Sequence, residues 1–317
     1  PNLCVLQLLC PRYLGHAGIG AGSDTLCVSK MAHVSPYWGV VSGGLHAISC
    51  IYGVGQEASM RALITGGAKR LGREMSLYLA KRGYDVVVHY NSSDDDARTV
   101  VDEIHEMGRR ATQLQANILD ETQVETLVSR AASALDGPIT VLVNNASIFE
   151  YDNIKSATRT TWDRHLESNL RAPFVLTQKF SDQIPAPSLD DNSEPVAAGL
   201  IVNMLDQRVK KLTPEFSSYT IAKMGLWALT QTSARALAPK IRVNAIGPGP
   251  TLRGDREDPV RYQHQRDNTV LNRGSNPSDI SAALGYFIDA PAVTGQLLCV
   301  DGGQHLGWKT PDILGIV

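Results

Sequence analysis

The chain has 317 residues, of which 43% are hydrophobic and 20% charged, with a formal net charge of -2. That balance excludes a strongly basic nucleic-acid binder and an acidic disordered tail protein, and the length accommodates one large domain or two ordinary ones. Composition is uneven along the chain: Cys4, Cys10, Cys27 and Cys50 crowd the first fifty residues, and only Cys299 lies beyond.

The opening sixty residues show no sustained helical or strand period. Val5 to Leu9 is apolar but lacks the preceding positive charges of a signal peptide. Residues 32–56 carry no charge and have the length of a membrane span, yet they contain Pro36, five glycines and three serines. No membrane span is expected there. The cysteines form no C-x-x-C pair, and the eight histidines show no metal-ligand spacing, so no metal site is expected. Residues 1–59 are therefore expected to be a leader outside the working protein, and 60–317 a single domain. The composition of that domain reads as intracellular.

From Arg61 onward, short apolar runs alternate with helix-period segments. Ala62 to Thr65 predicts a strand ending in Gly66-Gly67, and Leu71, Met75, Tyr78 and Leu79 mark a helix that stops at Gly83. Val86 to Val88 is a continuous apolar run, as a strand covered on both faces requires. Ala97, Val100, Val101, Ile104 and Met107 form a second helical stripe, and Val124, Leu127, Val128 and Leu135 a third. Further strands are predicted at Ile139 to Val143, Leu200 to Val202, Ile241 to Val243 and Leu297 to Val300. Helices are predicted around 158–180, 217–238 and 278–288. The Pro-rich, acidic stretch Gln183 to Ala198 joins a helix to a strand and reads as a surface insertion. Repeated βα alternation predicts an α/β fold, a Rossmann-type doubly wound sheet of about seven parallel strands with helices on both faces.

Three patterns carry chemistry. The turn Thr65-Gly66-Gly67-Ala68-Lys69-Arg70-Leu71-Gly72 follows the first strand, where glycines let a pyrophosphate approach the N-terminus of a helix. About twenty residues on, where a carboxylate would bond an adenosine 2′-hydroxyl, the chain reads His89-Tyr90-Asn91-Ser92. No acidic residue appears before Asp94, and Lys69 and Arg70 lie in the neighbouring turn, which favours NADP(H). Tyr219 and Lys223 stand four apart on one helix face, where a cation favours the phenolate and lowers the phenol's pKa. Asp206 lies thirteen residues upstream of the tyrosine.

Together with Asn144-Asn145-Ala146, Asn169 and Pro248-Gly249, these segments resemble the short-chain dehydrogenase/reductase family in order, from about Ala62 to Gly303. Two departures are similar to its pteridine reductase subgroup. Arg70 replaces a glycine of the turn, and Asp206 replaces the family's serine. Asn144-Asn145-Ala146-Ser147-x-Phe149 and Asn203-Met204-x-Asp206 fit the same subgroup. The resemblance implies a pterin ring between Phe149 and the nicotinamide, with Ser147 and Arg70 holding its polar edge and the phosphates. It also implies that Tyr219 supplies a proton, Lys223 holds the nicotinamide ribose, Asp206 assists, and Asn169 supports Lys223 through a water. Asn117 stands where the family has an aspartate on the adenine amino group; its amide oxygen can still accept that bond, with Ile118 beside it. A cytoplasmic homotetramer, with the helices at 158–180 and 217–238 as interface, also follows from the resemblance.

An ionised aspartate cannot donate to a ketone oxygen as a serine does, so Asp206 argues against simple ketone reduction. A carbonyl reductase or alcohol dehydrogenase is the alternative, and a non-catalytic NADPH sensor a further one. His89 and His165 read as structural, Leu226 and Trp227 as core or interface, and Lys210-Lys211 and Arg273 as solvated surface.

Overall fold

The computed structural model describes residues 60–254, 258–310 and 312–314. The leader expected at 1–59 lies outside them. Seven strands form one sheet in the order β3-β2-β1-β4-β7-β8-β9, every neighbouring pair parallel. They are β1 (Arg61–Ile64), β2 (Asp85–Tyr90), β3 (Ala111–Gln115), β4 (Val141–Asn144), β7 (Gly199–Met204), β8 (Ile241–Pro248) and β9 (Leu297–Val300). The expected fold class is observed.

Alternation along the strands explains why the sheet needs helices on both sides. Ala62, Ile64, Val86, Val88, Val141 and Val143 point into one core. Leu63, Val87, Leu142, Ile201 and Val243 point into the other. The first core is closed by α1 (Arg70–Lys81), α2 (Asp94–Glu106) and α8 (Pro277–Asp289), through Met75, Leu79, Val100, Ile104, Ile280 and Leu284. The second is closed by α3 (Glu121–Ala134) and α5 (Ala172–Gln183), with Leu127, Val175, Leu176 and Phe180. Each fully buried side chain of this size contributes roughly 1.5–3 kcal/mol of apolar transfer.

The chain runs outward from β1 to β3 and then crosses to the other side of β1 to start β4. The loops leaving β1 and β4 therefore part, and a crevice opens between them at the carboxyl ends of the strands.

Four elements differ from expectation. Edge strand β3 reads Ala-Thr-Gln-Leu-Gln and has no apolar run, because only one strand neighbours it. The helix expected around 158–180 is three pieces: α4 (Arg159–Leu166), a π-helical turn at Glu167–Arg171, and α5. Within the insertion, Ser188–Leu189 (β5) and Pro195–Val196 (β6) pair as a small antiparallel hairpin. Helix α7 (Pro259–Asp267) buries none of its residues and so carried no apolar period. The remaining long helix, α6, runs Ser217–Ala236, within the expected stretch.

Candidate active site

The crevice floor is assembled by Thr65 and Asn145. Thr65 Oγ1 accepts the backbone N–H of both Asn145 and Ala146 at 2.9 Å. Asn145 Nδ2 returns bonds to the carbonyls of Thr65 (2.9 Å) and Gly66 (3.2 Å). The two loops are thus stitched together at their bases. Gly66 sits at φ +61°, a conformation glycine adopts without strain. Gly72 allows the first turn of α1 to approach this loop: a Cβ there would lie 1.9 Å from the Gly66 carbonyl oxygen. The close approach brings the α1 N-terminus, the end of a helix that favours an anion, against the glycine turn.

Arg70 begins α1 at φ +53°, a left-handed conformation that costs a non-glycine residue of order 1 kcal/mol or more. Its guanidinium donates to the carbonyls of Leu252 (3.0 Å) and Arg253 (2.9 Å), tying the turn to the loop after β8. Pro248 ends β8, and Gly249 N–H bonds Val300 O at 3.0 Å, which places this segment beside the end of β9.

His89, which stands among the expected cofactor residues and also reads as structural, is buried, and both of its ring nitrogens are engaged within the protein. Gly66 N–H donates to Nδ1 at 3.0 Å, and Nε2 faces Ala116 O at 3.0 Å. The ring is a strut between the glycine turn and the end of β3. Burial pushes its pKa down to about 4, so it is neutral at physiological pH.

Around it, Asn91 and Ser92 are exposed, and Tyr90 donates its hydroxyl to Asp94 at 2.5 Å. Lys69 pairs with Asp96 at 2.9 Å, both largely solvated. The acidic start of α2 is therefore occupied by Tyr90, Arg98 and Lys69. Asn117 Oδ1 accepts the Leu119 N–H at 3.1 Å, and Ile118 packs against the second core.

At the other end of the crevice, Tyr219 and Lys223 occupy the first turns of α6 and Asp206 follows β7. Asp206 holds two groups at once: Oδ1 accepts the Arg208 N–H at 2.8 Å, and Oδ2 accepts the Tyr219 hydroxyl at 3.2 Å. Tyr219 and Asp206 are thus in direct contact although one lies on α6 and the other follows β7. Lys223 behaves differently from expectation. Its Nζ donates to Met204 O at 2.8 Å and lies 5.5 Å from the centroid of the tyrosine ring.

The pKa consequences follow from this geometry. Burial, reinforced by the negative Asp206, pushes the Tyr219 hydroxyl well above its ordinary value. The phenol is thus kept protonated, and the lowering anticipated from Lys223 is not found, because the ammonium faces the strand carbonyl. Burial lowers Lys223 itself to about 8, with Asp206 pulling the other way.

Ser147 and Phe149 line the same end. Ser147 donates to Asn169 Oδ1 at 2.5 Å. Asn169, on the π-helical turn, donates to Ile148 O (2.9 Å) and His165 O (3.2 Å). Its observed partners hold the Ser147 loop; it does not touch Lys223 directly. Phe149 is 54% exposed and meets Tyr219 edge-on at 4.7 Å between centroids.

Its other neighbour was missed from sequence. Phe216 stacks on Phe149 at 4.3 Å with the rings 12° apart, and the Arg208 guanidinium lies 4.9 Å over Phe216. Phe216 sits at φ +58°, where local pattern gives no hint of an aromatic. The surface readings stand: Arg273 pairs with Asp279 at 3.0 Å, Lys210 lies over Trp227 at 5.7 Å, and Leu226 is buried. Among the described residues no group of His, Cys, Asp and Glu is arranged to hold a metal ion, and no helix is long and apolar enough to cross a membrane.

The crevice, the glycine turn beneath an anion-ready helix and the Tyr219/Lys223 pair beside it define a nucleotide-dependent oxidoreductase scaffold. The chain belongs to the short-chain dehydrogenase family, whose family model matches residues 60–262. It is 31% identical over 251 residues to the 3-oxoacyl-[acyl-carrier-protein] reductase FabG of Staphylococcus epidermidis, covering 77% of this chain and 98% of the relative. Among solved structures, it is 40% identical to FolM alternative dihydrofolate reductase 1 from Brucella suis in complex with NADP, with a TM-score of 0.74. The same protein from Brucella canis, also complexed with NADP, is 39% identical with a TM-score of 0.73. Each alignment spans 80% of this chain and 98% of the other.

Proposed function

We propose that the protein is an NADPH-dependent reductase of a pterin-type C=N bond, in the manner of a pteridine or dihydrofolate reductase. The observation that carries this reading is Asp206 bonded to the Tyr219 hydroxyl at 3.2 Å. Where ketone reduction calls for a neutral donor beside the phenol, this site presents a carboxylate, which orients the phenol and suits a protonatable ring nitrogen. The relatedness to FolM proteins supports it.

The residues present fit NADP(H). A side chain at Gly72 would collide with the Gly66 carbonyl and the Asn145 amide and push the α1 N-terminus off the glycine turn, where the phosphates would sit, and Lys69 stands at the adenosine end. The α1 N-terminus would hold the phosphates and Lys223 the nicotinamide ribose. Bound NADPH supplies a hydride. Tyr219, kept protonated by burial and Asp206, delivers its proton to the ring nitrogen adjoining the reduced carbon. Phe149 offers an aromatic face to the flat ring, and Ser147 and Arg70 offer donors to its edge. The adenine would lie near Asn117. A cytoplasmic homotetramer built on α5 and α6 completes the proposal; Phe174 and Leu229 form part of a shallow apolar depression on those helices.

One observation favours a second reading, reduction of a 3-oxoacyl or other small ketone: the identity to FabG proteins. NADPH oxidation with dihydrobiopterin, dihydrofolate and a panel of 3-oxoacyl esters separates the two. Turnover of the first pair is expected; turnover of ketones alone would select the second. Tight NADPH binding without turnover of either would leave a sensor. In the same assay Tyr219→Phe should lose about a hundredfold or more in turnover, the usual size of general-acid catalysis, and keep its NADPH affinity.

A further inference from the structure

Among the buried polar side chains that the chemistry above does not use, Asp152, His165 and Ser218, each at 0% exposure, form one connected group. They come from the segment after β4, from α4 and from the first turn of α6, immediately before Tyr219.

Their hydrogens can be placed by following the donors. Glu150 N–H donates to His165 Nε2 at 3.0 Å, so that nitrogen carries no proton. The neutral ring then holds its hydrogen on Nδ1, which donates to Ser218 Oγ at 2.7 Å. With that lone pair used, the Ser218 hydroxyl donates onward to Asp152 Oδ2 in a short bond. Asp152 Oδ1 takes the Ser218 backbone N–H at 3.1 Å. The Asp152 carbonyl accepts the N–H groups of Phe216 (2.7 Å) and Ser217 (3.3 Å). Burial keeps His165 below its ordinary pKa, although Asp152 and Glu150 pull it up; Arg164, the cation facing it, pushes the same way as burial.

This is not a nucleophile triad. In such a triad histidine removes the serine proton and aspartate steadies the histidine. Here the serine proton goes to the aspartate, the histidine donates to the serine, and the hydroxyl is sealed from solvent. The arrangement instead joins two walls of the crevice. Residues 147–152 carry Ser147 and Phe149 at one end and Asp152 at the other. Ser218 adjoins Tyr219, and Phe216, held at φ +58° by the Asp152 carbonyl, stacks on Phe149.

We propose that Asp152, His165 and Ser218 are positioning residues that lock the Phe149/Phe216 wall to the Tyr219 hydroxyl and so set the geometry of proton delivery. This rests on the reading of Tyr219 as proton donor. The chain is directional, and it works only with His165 neutral and protonated on Nδ1.

The test uses the full chain with NADPH and whichever of dihydrobiopterin, dihydrofolate or a 3-oxoacyl ester the wild type turns over. Ser218→Ala removes the hydroxyl but keeps the N–H bond to Asp152; kcat should fall at least tenfold while the NADPH Kd stays within twofold. His165→Asn, whose amide can replace the Nδ1–H donor, should retain several-fold more kcat than His165→Leu. Unchanged kcat in Ser218→Ala, or equal losses in kcat and NADPH affinity, would overturn the proposal. A wild-type measurement stands apart from folding of the variants: ¹⁵N NMR at pH 8 should show His165 as the neutral Nδ1–H tautomer. An Nε2–H tautomer would refute the chain. Tyr219→Phe run in parallel separates the two ideas, since full turnover there removes the proton-donor reading whatever His165 shows.

Discussion

The two ends of the crevice are made of different material. At the glycine turn, contacts are backbone to backbone or backbone to one small side chain, as in Thr65, Gly66 and Asn145, and the charged side chains nearby are solvated. At the Tyr219 end, the working groups are buried side chains gripping one another: Asp206 on Tyr219, Asn169 on Ser147, Ser218 on Asp152. The first end needs space and unpaired N–H groups. The second needs fixed polarity in a place that excludes water. Single side chains should therefore matter far more at the second end than at the first.

The largest effect tests that contrast at its buried pole. Lys223→Met removes an ammonium that is 3% exposed and bonded to Met204 O. Turnover should fall about a thousandfold, with a clear loss of NADPH affinity, as stopped-flow and fluorescence titration would show. A loss under tenfold would mean the buried end is less demanding than its construction implies.

The intermediate case is His89, a buried side chain at the backbone end. Its folded pKa of about 4 lies below the unfolded value, so the unfolded chain binds the extra proton between the two. Stability is complete above about pH 6.5 and declines as pH falls toward 4, by on the order of 3 kcal/mol if the unfolded value is 6.5. Urea denaturation from pH 7 to 4.5 would show the slope, and His89→Gln should flatten it.

The smallest effect belongs to Lys69→Ala. Because Lys69 is half-exposed and paired only with Asp96, the change should raise the NADPH KM about threefold or less and leave folding unaltered. A large effect would erase the distinction between the two ends.

The same division explains what was legible in the amino-acid order. Strands buried on both faces, such as Val86 to Val88, announce themselves, because an apolar run is the only sequence that survives between two helix layers. Strand β3, mostly half-buried, and α7, with no fully buried residue, have no such requirement and left no pattern. Within the site, Tyr219 and Lys223 were visible because helix spacing puts them on one face, and Asp206 because it stands where the resembling family carries a serine. Phe216, Arg208, Asp152 and His165 were not marked as site residues. Their roles arise from a left-handed residue, a 3-10 turn and contacts between segments 53 to 66 positions apart, none of which has a local signature. The direction of the Lys223 ammonium was likewise invisible, since spacing places a Cα and not the end of a four-carbon chain.

Arg70 leaves the protein with a standing conflict between robustness and capability. A glycine at its position would relax the +53° backbone and make the fold sturdier, while surrendering the guanidinium that bridges to residues 252 and 253. A lineage under pressure only to endure heat would discard this arginine early. One under pressure to keep its crevice in working order would retain it and accept the strain.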